Sequence, residues 1–360
     1  MSTHGVKGGA TDPLERMAQA PIGWLDGSGE YAGIVLSSRV RLARNLKGIP
    51  FSQRASEEQL AEVQSEVLKA QQGNNYLANA VFISTSDLAD LDKQFMVERH
   101  LVSHALAEKK VGRGILVGDQ EMVSVMVNEE DHLRLQALQS GFQPKNAWRI
   151  IDRIDDELGK SLDYAFSDKF GYVTACPTNA GTGLRASVLI HLPALVLTQE
   201  IDKVLRGITQ VGLAVRGFYG EGTAVLGNLF QISNQTTLGQ LEEDIINSLE
   251  RVTKQIIEYE EDARTTLLKD AKPQIEDKIW RAHGIVKTAR VLTSHEFMNL
   301  SSAVRLGVAM GIIPDIDIKT INGLIIWTQP SHLQKRANKT MGPAERDVYR
   351  AELVRKMLGD

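Results

Sequence analysis

One short stretch, residues 172–185, constrains the fold of this chain more than any other. An apolar strand start runs into a turn that holds the only cysteine, Cys176, with a proline, an asparagine, Gly181, Gly183 and Arg185. Glycine lets a backbone approach a ligand closely, and the planar guanidinium of arginine suits phosphate oxygens. The stretch therefore favours an anion-binding loop. Taken alone, it is equally compatible with a glycine-rich turn from a strand to a helix, in which Cys176 is a small buried apolar residue.

The composition sets the class of protein in which this loop works. The chain has 360 residues, of which 42% are hydrophobic and 24% charged, as in soluble globular proteins with room for two domains. Its formal net charge of -4 argues against a general nucleic-acid binder. One cysteine cannot form an internal disulfide, and no apolar run has the length of a signal peptide or a membrane span. We therefore expect a cytoplasmic protein with no membrane partner and no direct nucleic-acid partner.

A predicted strand over residues 34–45 places Arg39 and Arg41 on the same face, because side chains alternate along a strand. Two neighbouring guanidinium groups repel each other unless an anion lies between them. For this motif alone, a solvated edge strand with harmless charges remains the alternative. A helical pattern over residues 88–106 carries His100, and a single histidine on such a helix is more often structural than functional.

Three consecutive acids end the apolar strand that precedes residue 128, and a histidine and Arg134 follow them. Such a run can cap a helix, and it can also orient a cationic substrate and accept its proton. The sequence leaves both roles open. Further along, a strand with a glycine-punctuated loop over residues 212–222 and a strand over residues 225–235 predict a hairpin. Its tip holds Glu221 and could act as a lid.

Five arginines lie at the ends or on the faces of these predicted strands: Arg39, Arg41, Arg134, Arg185 and Arg216. A nucleoside triphosphate with bridging Mg2+ would offset their charge, and phosphoryl transfer needs mainly positioning and charge stabilisation from a protein. The chain has neither the G-x-x-x-x-G-K-[ST] motif of P-loop proteins nor the motifs of protein kinases. We therefore predict an ATP site built from arginines.

Four ordered motifs resemble the catalytic domain of the phosphagen (guanidino) kinases, over about residues 30–240. They are S-S-R-V-R at 37–41, N-E-E-D-H-L-R at 128–134, C-P-T-N-A-G-T-G-L-R at 176–185, and R-G at 216–217 with Glu221. The resemblance implies that Glu130 orients and deprotonates the guanidinium, that Cys176 lies against the guanidino substrate, and that Glu221 is a second acid on a closing loop. It gives no set of protein ligands for a metal. The nucleotide-binding residues that it implies are Ser37, Ser38, Arg39, Val40, Arg41, His100, Arg134, Arg185, Ala186, Ser187, Val188, Leu189, Arg216, Gly217, Phe218, Tyr219, Gly220 and Glu221.

Two features distinguish the chain from the small-molecule phosphagen kinases. The helical N-terminal domain that closes over the small substrate in those enzymes has no counterpart before Ser37, so an arginine side chain attached to a protein could enter the site. The sequence R-D-V-Y-R-A at residues 346–351 matches an R-D-x-x-R-A pattern, and over nearly its whole length the chain resembles bacterial protein-arginine kinases of the McsB type. Without that resemblance, the segment is equally typical of a solvated C-terminal helix.

The McsB-type resemblance implies further properties. The phosphoarginine-binding residues would be Arg346, Asp347, Arg350 and Ala351, with the two arginines on the phosphate and the aspartate on the guanidinium. The C-terminal domain would form a homodimer. The expected partners are protein substrates with exposed arginines, an activator of the McsA type, a Clp ATPase and protease system, and a transcriptional repressor of the CtsR type, which could itself be a substrate.

We predict an α+β fold, in which an antiparallel sheet flanked by helices precedes an all-helical C-terminal domain. The predicted divisions are a short N-terminal segment (1–30), a catalytic domain (31–240) and a helical domain (241–360). The predicted activity is transfer of the ATP γ-phosphoryl group to arginine side chains of proteins, which marks them for Clp degradation in the stress response. Two alternatives stay open: a kinase for free arginine or another small guanidino compound, and a phosphoarginine-binding adaptor.

Overall fold

A computed structural model describes residues 12–86, 88–107, 111–217 and 226–359. The strands are β1 (Val35–Arg44), β2 (Val81–Ser84), β3 (Gly114–Val117), β4 (Val123–Val127), β5 (Leu133–Ser140), β6 (Phe166–Ser167), β7 (Gly171–Tyr172), β8 (Leu184–His191), β9 (Leu213–Arg216) and β10 (Leu229–Asn234). The helices are α1 (Pro13–Gln19), α2 (Glu57–Gln72), α3 (Asp90–Glu98), α4 (Pro144–Gly159), α5 (Pro193–Leu197), α6 (Ile201–Gln210), α7 (Glu242–Asp270), α8 (Lys272–Thr288), α9 (Ser294–Ala309), α10 (Ile318–Trp327), α11 (Pro330–Ala337) and α12 (Pro343–Met357). Within these ranges, no helix has both the length and the apolarity needed to cross a bilayer. The cytoplasmic location stays a prediction.

Eight of the strands form one sheet in the order β2-β3-β4-β5-β1-β8-β10-β9, and every neighbouring pair is antiparallel. β6 and β7 form a separate two-stranded hairpin. β1 lies in the middle of the large sheet and pairs with β5 on one side and β8 on the other. The predicted fold, an antiparallel sheet with helices followed by a helical region, is confirmed.

The two faces of the sheet differ because side chains alternate along each strand. On β1, Val40 and Leu42 are buried in the core, whereas Arg39 and Arg41 are partly exposed on the opposite face. Helices α2, α4 and α7 pack on the apolar face. The buried stripe of α4 recurs every three or four residues, as expected of a helix with one face on a core: Ala147, Ile151, Ile154 and Leu158. The packed face holds the sheet together, and the arginine face remains accessible to a ligand.

Helix α3 is shorter than the sequence pattern predicts. A helix over residues 88–106 is the wrong prediction, because α3 ends at Glu98 and His100 has a left-handed backbone conformation with φ 59°. The chain turns there so that two successive residues reach buried partners. Arg99 donates to the carboxylate of Glu121, and the carbonyl of His100 accepts a hydrogen bond from Gln136 Nε2 at 2.9 Å. His100 therefore lies beside the sheet and not on an exposed helix face.

The long helix α7 joins the two parts of the chain. The predicted boundary near residue 240 coincides with its start, yet α7 packs on β8, β10, α4 and α5. Its residues Ile245, Ile246 and Leu249 are buried in the same core as the sheet. Helices α8 to α12 pack on one another, and α11 also contacts α1 and α3. In terms of packing, the more separate helical unit therefore begins after α7.

A buried arginine fastens α9 to the N-terminal half of the chain. Arg305 donates hydrogen bonds to Asn322 Oδ1 at 2.9 Å and to the carbonyl oxygens of Ala32 and Gly33 at 2.6 and 3.1 Å. Its Nη1 atom also lies 3.0 Å from His191 Nδ1 on β8. Burial, with the nearby Arg264, lowers the pKa of Arg305 to about 9. The helical region is thus packed into the catalytic part through buried polar contacts as well as apolar ones.

Candidate active site

The register of the sheet brings four of the predicted arginines together on one face. Directly opposite residues in antiparallel strands place their side chains on the same face. Arg41 on β1 is opposite Arg185 on β8 and Gln136 on β5. Arg39 is two residues before Arg41, and Arg134 is two residues before Gln136, so both share that face. The prediction of a common arginine face rests on strand alternation, and the register extends it across three strands.

The fifth arginine, Arg216, ends β9 opposite Gln231 of β10, and Gln231 is opposite Leu189 of β8. These pairings place Arg216 on the same face, with β8 and β10 between its strand and β1. The predicted hairpin of β9 and β10 is confirmed. Its tip lies outside the described residues, and so do four predicted site residues: Phe218, Tyr219, Gly220 and Glu221. Gly217, the last residue before that gap, is buried.

On the arginine face, Glu129 pairs with Arg134, whereas Arg39 and Arg41 form no ion pair among the described residues. Burial and the guanidinium groups of Arg134 and Arg185 lower the pKa of Arg39 to about 9. Burial, Arg39 and the same two neighbours lower the pKa of Arg41 well below its ordinary value. Arg41 Nε is buried without a hydrogen-bond partner among the described residues. A polyphosphate would supply both the missing acceptor and the missing negative charge.

The loop between β4 and β5 places its three acids in different environments. Burial disfavours the charged form of Glu129, but Arg134, 2.9 Å away, and the Ser103 hydroxyl lower the pKa of Glu129 overall. Burial and the adjacent charges of Asp131 and Glu129 raise the pKa of Glu130. Within the described part of the chain, Glu130 has no ion pair. Glu129 is therefore a counter-ion, whereas Glu130 is the stronger base and is only half-buried.

The third acid, Asp131, fastens this loop to the cysteine loop. Asp131 Oδ1 accepts hydrogen bonds from Asn45 Nδ2 and from the Ala175 N–H, both at 2.7 Å. Asn45 Oδ1 in turn accepts from the His132 N–H at 2.9 Å. Because Ala175 directly precedes Cys176, this brace sets the position of the cysteine relative to the acids.

Sequence reasoning assigned no role to Asn45 or to the Asp131 carboxylate. Asn45 directly follows the arginine-rich strand β1, and asparagine at a strand end commonly bonds to nearby backbone groups. That position was the available signal. These partners could not be read from the sequence, because Asp131 lies 86 residues from Asn45 and 44 residues from Ala175 along the chain.

The cysteine loop connects two strands. Of the two alternatives that the sequence left open, the strand-to-helix turn does not form, because the strand β8 begins at Leu184. Cys176 is also not a core residue. It is half-buried and free, its Sγ lies 3.0 Å from Thr178 Oγ1, and its carbonyl accepts from the Thr174 hydroxyl at 2.8 Å. The thiol is thus held at the surface of the site, where a substrate can contact it.

The two glycines of this loop pack closely against neighbouring parts of the protein, and their approach to a ligand stays a prediction. Gly181 has φ +104°, and a Cβ there would lie 2.7 Å from the Thr237 carbonyl oxygen. Gly183 has φ +66°, and a Cβ there would lie 2.7 Å from Arg44 Nη1. Side chains at either position would clash with the chain that supports the loop. The two glycines therefore allow the loop to pack closely against the neighbouring parts of the chain.

Arg44 supports the cysteine loop from the apolar side of β1. Its Nε and Nη2 atoms lie 3.0 and 2.7 Å from Asp155 Oδ2, and Nη1 donates to the Thr182 carbonyl at 2.8 Å. The guanidinium lies 3.5 Å from the centre of the Tyr172 ring. Arg44 is three positions after Arg41, so strand alternation turns it away from the arginine face.

His100 lies beside the arginine face. Burial and the charges of Arg39 and Arg41 lower the pKa of His100 to about 3, so the imidazole is neutral at physiological pH. Its ring makes an edge contact with Trp24 at 5.5 Å between centroids. A small cavity adjoins it, lined by Trp24, Ser37, Arg39, His100, Leu138, Ser187, Leu189 and Gln231. The cavity places a cation beside apolar residues, and at about 20 Å³ it has room for about one water molecule and not for a nucleotide.

β1 and β8 carry most of the predicted nucleotide-binding residues, and every second side chain on these strands points away from this cavity. Ser38 donates its hydroxyl hydrogen to the Gly141 carbonyl at 2.9 Å and accepts from the Gln143 N–H. The apolar members lie in the core beneath the helices: Val40, Ala186 and Val188. Only their backbone atoms are near the arginine face.

The R-D-x-x-R-A segment lies on α12. Arg350 is buried and donates to the carbonyls of Thr328 and Leu292 at 2.9 and 2.7 Å and to Asp347 Oδ1 at 2.5 Å. Arg346 is half-exposed, and its Nη1 donates to the Met341 carbonyl at 3.1 Å. Ala351 is fully buried. Asp347 thus pairs with an arginine of its own helix, and Arg346 is the more accessible of the two arginines.

Comparison with known proteins agrees with this geometry. Residues 61–263 match the family of the ATP:guanido phosphotransferase C-terminal catalytic domain, and residues 272–360 match the protein-arginine kinase McsB C-terminal domain. A protein-arginine kinase of Symbiobacterium thermophilum is 46% identical over 96% of this chain and 98% of its own.

The chain belongs to the protein-arginine kinase family.

Another member of the family, from Halothermothrix orenii, is 48% identical over 93% of this chain and 96% of its own. Among solved structures, the duplicated taurocyamine kinase of Schistosoma mansoni aligns with a TM-score of 0.59 and 28% identity. The alignment covers 72% of this chain but only 37% of the taurocyamine kinase chain. Lombricine kinase, with a TM-score of 0.57 and 24% identity over 68% of this chain and 70% of its own, shares the fold. Like its family, the chain is an enzyme of the ATP-dependent phosphotransferase class.

Proposed function

We propose that this protein transfers the γ-phosphoryl group of ATP to the side chains of arginines in proteins. The observation that carries the proposal is the arginine face, where Arg39 and Arg41 are partly exposed and form no ion pair among the described residues, together with the half-buried base Glu130. Such a face suits a triphosphate, and the adjoining acid suits a guanidinium. Relatives that match nearly the whole chain bear the name protein-arginine kinase.

In this proposal the chain positions two substrates for an in-line transfer. The five arginines hold the phosphate oxygens and stabilise charge on the transferring group. The bond from the γ-phosphorus to its bridging oxygen breaks, ADP leaves, and a phosphorus–nitrogen bond forms. The proton of the attacking nitrogen passes to Glu130. Because the pKa of arginine is above about 12, this proton transfer must accompany the phosphoryl transfer and cannot precede it.

Cys176 has a supporting role in the proposed reaction. It is braced through Ala175 to the acid loop, so a guanidinium bound by Glu130 lies against the thiol. No covalent intermediate on sulfur is needed. Cys176 is instead an electrostatic and steric partner of the substrate.

Mg2+ enters the proposal with the nucleotide. Within the described ranges, no three His, Cys, Asp or Glu side chains are grouped so that they could hold a metal ion. A nucleotide-bound Mg2+ takes most of its ligands from phosphates and water, so the arginine face is compatible with Mg-ATP. The protein residues then contact the phosphates that the ion bridges.

The proposal extends to regulation and partners. We propose that the R-D-x-x-R-A segment binds phosphoarginine, with Arg346 as its accessible cation. We also propose a homodimer formed by the C-terminal helices, where exposed apolar side chains support such a contact: Trp280, Ile285, Val291 and Val348. An activator of the McsA type, Clp-dependent degradation of the marked proteins, a CtsR-type repressor as substrate, a role in the stress response and a cytoplasmic location complete the proposal.

The test is to incubate the purified protein with Mg-ATP and an unfolded arginine-containing protein, and to map phosphosites by mass spectrometry under non-acidic conditions. We expect phosphoarginine in the wild type and a loss of about 10²- to 10⁴-fold in Glu130→Gln, with ATP binding retained. Retained turnover in Glu130→Gln would contradict the role of this acid.

Free arginine serves as the competing substrate in the same experiment. The similarity to taurocyamine kinase favours a small guanidino compound as the second candidate substrate. Phosphorylation of free arginine without phosphorylation of the protein would select that candidate. Phosphorylation of neither would favour a phosphoarginine-binding adaptor.

A further inference from the structure

The hairpin of β6 and β7 exposes two phenylalanine rings beside the cysteine loop. Phe166 is 59% exposed and Phe170 is 51% exposed, and both lie within one seven-residue segment, residues 166–172. The Nζ atom of Lys169 lies 5.1 Å from the centre of the Phe170 ring. Single exposed apolar residues are common, but two aromatic rings on one short hairpin form a patch that favours contact with a partner.

Backbone hydrogen bonds tie this hairpin to the cysteine loop. The N–H of Tyr172 on β7 donates to the Gly181 carbonyl at 2.8 Å, and the N–H of Gly181 donates back at 3.4 Å. This pair closes the base of the loop that carries Cys176. The Val173 N–H donates to the Ala165 carbonyl at 2.9 Å, which fixes the other side of the hairpin. The aromatic patch is therefore continuous with the rim of the active site.

Side chains keep the patch in place. The Phe166 ring makes an edge contact with the Tyr172 ring at 5.3 Å between centroids. Tyr172 in turn lies against the guanidinium of Arg44, which is held by Asp155. This chain of contacts runs from the buried side of β1 to the exposed Phe166. A ring fixed in this way loses little conformational freedom when it binds a partner.

We propose that this aromatic hairpin docks the segment of a substrate protein that flanks the target arginine. The inference rests on the proposed function, because only an arginine within a polypeptide brings flanking residues to the rim. Apolar residues near an arginine are accessible chiefly in unfolded or extended segments, and the exposed rings would bury them. The partner is therefore an extended polypeptide with an apolar side chain close to its arginine.

The test compares two arginine peptides that differ only in their flanks, one with leucines and one with serines, in full-length enzyme with Mg-ATP. We expect the wild type to phosphorylate the leucine peptide with the higher kcat/KM. In Phe166→Ser/Phe170→Ser, kcat/KM for the leucine peptide should fall about 10-fold through KM, as for loss of binding anchors. The serine peptide and ATP affinity should be unaffected. Tyr76→Ser/Tyr259→Ser removes two other rings, each 43% exposed, and should keep the preference.

Three outcomes would overturn the proposal. An equal fall for both peptides would mean that the hairpin only maintains the site. If kcat/KM falls for neither peptide, docking lies elsewhere. If it falls for neither peptide and the oligomeric state changes in size-exclusion chromatography, the patch is a contact between copies. Failure of the proposed function is separate, because the wild type would then phosphorylate neither peptide.

Discussion

The arginines of β1 fall into two classes that differ in what neutralises them. Arg44 is buried and bonded to Asp155 and to the Thr182 carbonyl. Arg39 and Arg41 lie on the other face of the same strand without an ion pair among the described residues, and burial lowers the pKa of both. The residue type and the strand are the same. What differs is whether the guanidinium bonds to acceptors of the protein itself or to those of a bound ligand.

Arginines that bond to acceptors of the protein itself, as Arg44 does, form the satisfied class, and this class includes other arginines of the molecule. Arg305 and Arg350 are each about 1% exposed, and each bonds to carbonyl oxygens and to polar side chains: Asn322 and His191 for Arg305, and Asp347 for Arg350. A buried guanidinium is stable when such acceptors are present and costly when they are absent. Among the described residues, the partly exposed Arg39 and Arg41 form no ion pair, and Arg41 Nε has no hydrogen-bond partner. This contrast supports the proposal of an anion site on that face.

The largest expected effect is on catalysis, from Arg41→Met. Because Arg41 forms no ion pair among the described residues and its Nε has no hydrogen-bond partner there, its loss should lower kcat/KM about 10³-fold while leaving the free energy of unfolding of the nucleotide-free protein unchanged or higher. In the wild type, Mg-ATP at 100 times Kd should stabilise the protein by about 2.7 kcal/mol, and Arg41→Met should lose most of that gain. Thermal unfolding with and without nucleotide measures it.

Arg281→Met is the matched control for Arg41→Met, since the Arg281 side chain is 75% exposed on α8. It should leave both activity and nucleotide-linked stabilisation as in the wild type. If nucleotide-free Arg41→Met were less stable than the wild type as well as less active, the contrast between the two classes of arginine would fail. Arg41 would then belong to the satisfied class.

Much of this division could be predicted from the sequence. Period-two alternation assigns Arg39 and Arg41 to one face, and the ordered motifs assign Glu130 and Cys176 to one site. Alternation also places Arg44 on the other face, but its acceptor Asp155 lies on α4, 111 residues away. Which arginine the fold satisfies depends on such distant contacts. Local pattern cannot supply them.

The errors in the sequence predictions have the same origin. The α3 pattern continues in the sequence beyond Glu98, yet the chain turns because Arg99 reaches the buried Glu121. Gly181 and Gly183 suggest space for a ligand, yet the atoms that approach them belong to Thr237 and Arg44. In each case a tertiary contact outweighed a correct local propensity.

The second prediction tests the satisfied class through stability. Arg44→Met leaves Asp155 buried and without its cation, which should cost about 3–5 kcal/mol of unfolding free energy. Urea denaturation measures this. Activity should fall as well, because Arg44 also holds the Thr182 carbonyl under the cysteine loop.

The double variant Arg44→Met/Asp155→Leu separates the ion pair from other losses. Replacing both partners by apolar side chains removes the unpaired carboxylate and should recover most of the lost stability. Recovery of stability without recovery of activity would show that Arg44 positions the cysteine loop. No loss of stability in the single variant would contradict its assignment to the satisfied class.

The smallest expected effect concerns Glu98, a largely buried acid that forms no ion pair with an arginine among the described residues, although the charge of Arg346 favours its ionised form. Glu98 at the end of α3 accepts hydrogen bonds from the backbone N–H groups of Ser331 and His332 at 2.9 and 3.0 Å and from His332 Nδ1 at 2.9 Å. The guanidinium of the adjacent Arg99 is bonded to Glu121. Burial raises the pKa of Glu98 to about 7. Backbone donors at the start of α11 therefore compensate this charge only in part.

Comparison with Glu98→Gln should reveal this incomplete compensation as a pH dependence of the free energy of unfolding. With a folded pKa of about 7 and an ordinary value of 4.5, the folded state retains a proton that the unfolded state has lost. The resulting stabilisation is complete below 4.5 and is lost as the pH rises through 7. Relative to Glu98→Gln, the wild type should lose about 1 kcal/mol of unfolding free energy between pH 6 and pH 8. Urea denaturation at pH 6, 7 and 8 measures the difference.

The comparison between the wild type and Glu98→Gln removes the contributions to the pH dependence of stability that both proteins share. The pKa values of the buried His100, His191 and His332 are lowered, so these histidines favour folding as the pH rises, but they are present in both. Glu352→Gln, at an exposed site on α12, is the matched control for the chemical change. A difference between the wild type and Glu98→Gln that stays constant from pH 6 to pH 8 would mean that helix N–H groups satisfy the largely buried carboxylate as fully as Asp155 satisfies Arg44. The distinction between satisfied and unsatisfied buried charges would then hold for the arginines alone.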